Sequence, residues 1–229
     1  MTNPLLDTSS LPRFVQISPD HVIPAIRELI AAHRQKLESL LGRTDAHTFD
    51  SLVAQLECMD HELSRVWSPV SHLQGVLGSR PWRDAYNEAL PLLTEYSTEL
   101  SQDARLQRAY AAVDETLPAD ADLARRTVVR HALRDFHLAG VDLADTDKAR
   151  FKEIMRELAA TQAAFEHNVQ DASDAWMYAA DDEADLAGLP RHALARAASE
   201  ARSRDRQGFV LTLDYPTYHD VMTHATDRR

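Results

Sequence analysis

Apolar residues recur every three or four positions through nearly all of residues 18–176, a regularity that commits most of the chain to amphipathic helices. The first helix opens at Ser18-Pro19-Asp20, with Ser18 as N-cap and Pro19 where a missing N–H costs little. It carries Val22, Ile26, Leu29, Ile30, Leu37, Leu40 and Leu41, and Gly42 closes it. A second, capped by Thr48, carries Phe49, Leu52, Val53, Leu56, Leu63, Val66 and Trp67 until Pro69 breaks or kinks it. Ser79-Arg80-Pro81 opens a third, a short fourth surrounds Leu106, Tyr110 and Val113, and a fifth carries Leu123, Val128, Leu133 and Phe136 to Gly140. The longest starts near Thr146, carries Phe151, Ile154, Leu158, Phe165 and Val169, and ends near Trp176.

The texture changes after Trp176. Residues 176–180 read as a short strand, Leu186-Ala187-Gly188 as a turn and residues 190–206 as a helix. Residues 208–214 are the one clear strand, rich in β-branched and aromatic side chains. Tyr215-Pro216 starts a last helix whose Tyr218, Val221, Met222 and Ala225 form a core-facing stripe, with no stop signal before Arg229. The expected class is therefore mainly α, with a helical domain over residues 1–175. Residues 176–229 add a small strand-helix-strand segment and the start of a truncated helix.

Composition narrows the functional classes. Only six Gly against ten Pro argues against a β-sandwich or a Gly-rich nucleotide fold. The formal charge is −11, and the densest basic stretch, Arg196 to Arg206, is interrupted by Glu200 and Asp205. Binding to nucleic acid needs clustered Lys and Arg to displace counterions, so nucleic acid is excluded as a partner. No apolar run is long enough to cross a bilayer and no signal-peptide pattern opens the chain, so the expected compartment is the cytoplasm. The single cysteine, Cys58, allows no internal disulfide and reads as a small core residue.

Eleven histidines prompt a search for metal ligands. A zincin helix needs H-E-x-x-H, because histidines four apart share one face and the Glu activates the bound water. The only beginning of such a motif is His61-Glu62-Leu63-Ser64-Arg65, where a permanently charged guanidinium stands in place of the second histidine. His219 and His224 are five apart, and His131 and His137 six, so neither pair shares a face. His21, His33, His47, His167 and His192 have no carboxylate-histidine pattern around them, and His72, after the Pro69 kink, reads as a hydrogen-bonded structural residue. There is no G-x-S-x-G elbow, P-loop or G-x-G-x-x-G, and Asp181 and Asp182 read as loop charge. No catalytic, cofactor-binding or metal-ligating residue is assigned.

Several segments nevertheless resemble, in order, the amino-terminal region of bacterial members of the thimet-oligopeptidase family of zinc metallopeptidases. They are Asn3-Pro4-Leu5-Leu6, Leu11-Pro12-Arg13-Phe14 and Pro19-Asp20-His21-Val22-Ile23-Pro24-Ala25-Ile26, then Trp67-Ser68-Pro69-Val70-Ser71-His72-Leu73. Tyr86 to Ser97, Ala132 to Phe136, Asp182 to Pro190, Thr212 to Tyr218 and Val221 to Thr223 continue the series. The resemblance implies the multi-helix amino-terminal region of the neurolysin/thimet-oligopeptidase fold. There this region forms one wall of a deep channel that admits short unfolded peptides. The H-E-x-x-H helix and the third carboxylate ligand lie in a later part of such enzymes. Zinc would thus belong to the full-length parent, a metalloendopeptidase, and none to this stretch, which would be inactive alone. The implied partners are short peptides and the carboxy-terminal catalytic region, with self-association through the truncated end. The competing reading is a free-standing helical scaffold without catalysis.

Overall fold

The computed structural model describes residues 3–7, 11–118 and 121–226. Eight α-helices and one two-stranded antiparallel sheet are present among them. Helices α1 (Val22–Leu41), α2 (Ala54–Leu77), α3 (Arg80–Ser101), α4 (Ala104–Thr116) and α5 (Leu123–Leu138) precede the 31-residue α6 (Asp145–Ala175). Strand β1 (Tyr178–Ala180), α7 (Arg191–Ser203), β2 (Phe209–Leu211) and α8 (Tyr215–His224) follow. The chain divides into two compact units, residues 1–161 and 162–229.

In the first unit, α1 and α2 each serve two hydrophobic clusters with opposite halves. The amino-terminal half of α1 (Val22, Ile26, Ile30) joins the carboxy-terminal half of α2 (Val66, Val70) and Trp82, Ala89 and Tyr96 of α3. The other halves, with Leu37, Leu40 and Met59, join Leu106, Tyr110 and Val113 of α4 and Val129 and Phe136 of α5. The helix starts follow from local chemistry. Ser18 and His21 form a capping box in which the Ser18 backbone N–H donates to His21 Nδ1 at 3.0 Å. Thr48 Oγ1 accepts from the Ser51 N–H at 3.1 Å, and a π-helical turn, Phe49–Val53, leads from it into α2. Asp103 and Asp122 cap α4 and α5.

Three expectations need correction here. Of the break or kink expected at Pro69, the break does not occur, and α2 runs on to Leu77. A proline in a helix interior costs about 3 kcal/mol; burial of Val66, Pro69 and Val70 on one face offsets it. Cys58 is exposed, because Met59, one position further round the helix, takes the core position. In α5 the buried residues are Val129 and Phe136, two turns apart, whereas Leu123 and Val128 are exposed.

Helix α6 departs furthest from its sequence pattern. Ile154, Leu158, Phe165 and Val169 are all exposed, and Ala163 is the buried residue among those described. At 100° per residue these four fall within about 60° of arc, so they form one stripe. What holds the amino-terminal part of α6 is polar. Lys152 Nζ lies 2.6 Å from a Glu95 carboxylate oxygen, and Arg156 lies 3.1 Å from the other. Lys152 first, then Arg156, holds the Glu95 carboxyl below the usual carboxylate range against the opposing effect of burial.

In the second unit β1 and β2 pair antiparallel with Ala179 opposite Val210. Ala193, Ala197 and Ala201 give α7 a flat face at four-residue spacing, and Ala193 and Ala197 pack with Leu186, Leu189 and Leu211. Gly208 has φ +78°, and a Cβ there would sit 2.4 Å from the Ala180 carbonyl oxygen, so only glycine admits this approach of β2 to β1. Asp214 caps α8, its carboxylate accepting from the Thr217 N–H at 3.0 Å. This helix ends at His224 rather than continuing towards Arg229. Thr226 leaves it by donating its N–H to the Ala187 carbonyl at 3.0 Å; residues 227–229 lie outside the described residues. The α8 stripe is also divided. Val221 and Ala225 pack on the local core, but Tyr218 and Met222 are exposed, because Thr217 and Asp220 take the buried positions.

Candidate functional site

The half-motif His61-Glu62-x-x-Arg65 lies on α2, with His61 exposed. Glu62 turns instead to α1, where His33 Nε2 meets its carboxylate at 3.0 Å. His33 is 2% exposed although the Glu62 side chain is 45% exposed, so the pair spans the boundary between core and solvent. A carboxylate only accepts, so Nε2 carries the hydrogen and donates. His33 Nδ1 is buried with no hydrogen-bond partner. Both residues stand at the seam of the two clusters. His33 follows Ile30 of one and precedes Leu37 of the other, and Glu62 lies between Met59 and Val66. His33 occupies a core position of the α1 stripe, whereas Glu62 lies on the polar side of α2, where the sequence pattern puts it together with His61, and meets the core only through His33.

The remaining histidines are scattered. His72 is exposed, its ring 5.6 Å from that of Phe14. His137 pairs with Asp142, and His131 is exposed. His192 and His219 approach one carboxylate, that of Asp220, at 3.3 and 3.9 Å, and Arg196 bonds it directly. Burial pushes the Asp220 carboxyl up, but Arg196 and His192 outweigh burial and hold it below its usual range. This cluster joins α7 to α8 through one acid bonded by Arg196, an ion-pair arrangement rather than a ligand shell. Asp182 caps a 3-10 turn by accepting from the Ala184 N–H at 3.1 Å, which accounts for one of the loop acids.

The donor set does not fit a zinc ion. Zinc needs three or four His, Cys or carboxylate donors converging on one point, and no group of three or more that could hold a metal occurs among the described residues. No helix among them is long and apolar enough to cross a membrane. What the polar clusters achieve is attachment of one element to another, as in the bonds of Arg105 to Glu38, which join α4 to α1.

Residues 26–148 match the family model described as the neurolysin/thimet oligopeptidase N-terminal domain. The chain belongs to this family. The matched stretch begins within α1 and ends just inside α6, so it takes in all of the cluster around Leu37, Met59 and Tyr110 and the buried residues of the other except Leu5, Ile17, Val22 and Ala25. The whole chain is also 39% identical, over 229 residues, to the oligopeptidases A of Haemophilus influenzae, Salmonella typhimurium and Escherichia coli. It covers 100% of its own length in these comparisons and 34% of theirs, about a third of each relative.

Proposed function

We propose that this chain is the amino-terminal region of a zinc metallo-oligopeptidase that degrades short peptides, and that residues 1–175 form one wall of its substrate channel. Hydrolysis would be supplied by the region corresponding to the other two thirds of the relatives. The observation that carries the reading is the collinear 39% identity to oligopeptidase A over the whole chain. The exposed stripe of Ile154, Leu158, Phe165 and Val169 supports it, since a face of that kind suits packing against further polypeptide. In this reading the chain contributes shape and surface, and no catalytic, cofactor-binding or metal-ligating residue. Residues 176–229 lead from the wall towards the catalytic region, and the compartment is the cytoplasm. The exposed α6 stripe and Tyr218 and Met222 of α8 would also support self-association of the isolated chain.

The test is a chimera in which this chain replaces the matched third of Escherichia coli oligopeptidase A. The chimera is expected to cleave a quenched fluorescent peptide in a chelator-sensitive manner and to spare a folded protein. The chain alone is expected to show neither turnover nor bound zinc after dialysis. Chelator-sensitive turnover by the chain alone would refute the division of labour. A folded chimera without peptidase activity would refute the channel-wall assignment.

A further inference from the structure

We draw no further inference here: the strongest candidate, the cavity of the second unit between β1 and α8, lined by Trp176, Tyr178, Leu211, Tyr218 and Val221, is an unpartnered apolar face, and nothing in the structure shows what covers it.

Discussion

Replacing Glu62 by alanine tests the seam at its most exposed partner. The carboxylate is the sole hydrogen-bond acceptor of His33 Nε2, at 3.0 Å, and the ring is 2% exposed. In Glu62→Ala both ring nitrogens are left without a partner, because Nδ1 has none to begin with. Leaving a buried polar group unsatisfied costs about 1–3 kcal/mol. The Glu62 side chain is 45% exposed, so water can approach from its side and replace part of the lost bond. That places the expected cost near the lower end, about 1.5 kcal/mol. For a chain of this size it corresponds to roughly 3–6 °C in Tm. His33→Leu behaves differently, since it removes both nitrogens at once, keeps much of the buried volume and returns Glu62 to solvent. Its cost should stay below about 1 kcal/mol. The double variant should therefore be more stable than Glu62→Ala alone. Urea unfolding followed by the fluorescence of Trp67 and Trp82, in a Trp176→Phe background, reads the first unit by itself. The reasoning is refuted if Glu62→Ala costs less than about 0.5 kcal/mol, or if His33→Leu costs more than Glu62→Ala.

Gly188 has φ +96°, and a Cβ there would lie 2.2 Å from the His224 carbonyl oxygen. Gly188→Ala should lose about 2 kcal/mol or more and free the 187–226 contact, read as faster amide exchange at Thr226. In acid the chain should lose stability through carboxyls with lowered pKa: Glu38 and Glu95, held chiefly by Arg105 and Lys152, and Asp214 and Asp220, whose partners outweigh burial. Their stabilisation is complete above the unfolded values near 4 and is lost as pH falls through the lower folded values; melts between about pH 5 and pH 2 would show it. Burial pushes Tyr96 and Tyr110 up to about 12, so that the stability they contribute is complete below pH 10 and is lost as pH rises towards 12. Alkaline difference absorbance should show two tyrosines titrating late. Phe165→Ser, on the exposed α6 stripe, should change stability by no more than about 0.5 kcal/mol, whereas Val53→Ala in the core should cost about 2 kcal/mol; calorimetric melting separates the two.

Much of the architecture was legible because its determinants are local. Ser18 and Thr48 announce helix starts through bonds made within one turn, Pro81 through its fixed φ and missing N–H, and residues 208–214 announce β2 through side-chain shape. Pro69 misled, because the cost of a proline is local but the burial that outweighs it comes from α3 and the amino-terminal half of α1. The His33–Glu62 pair was hidden for a similar reason. Its members are 29 residues apart, and neither has a partner until α1 and α2 lie side by side.

The same distinction explains α6 and α8. Helical periodicity states that a face will be kept from water, and it is silent on which segment does so. In α1 the stripe of Val22, Ile26, Ile30 and Leu37 meets α2, α3 and α4, and the reading of a core face holds. In α6 a stripe of equal regularity meets solvent at Ile154, Leu158, Phe165 and Val169, while the ion pairs of Lys152 and Arg156 fix the helix to α3 by its other side. Surface ion pairs contribute about 0–1 kcal/mol each, and complete burial of a leucine- or phenylalanine-sized side chain about 1.5–3 kcal/mol. Four such side chains held at one stripe therefore represent more free energy than the bonds positioning the helix. Additional polypeptide would gain free energy by covering the α6 face, and the proposal that this chain forms a wall of a larger peptidase draws on that gain.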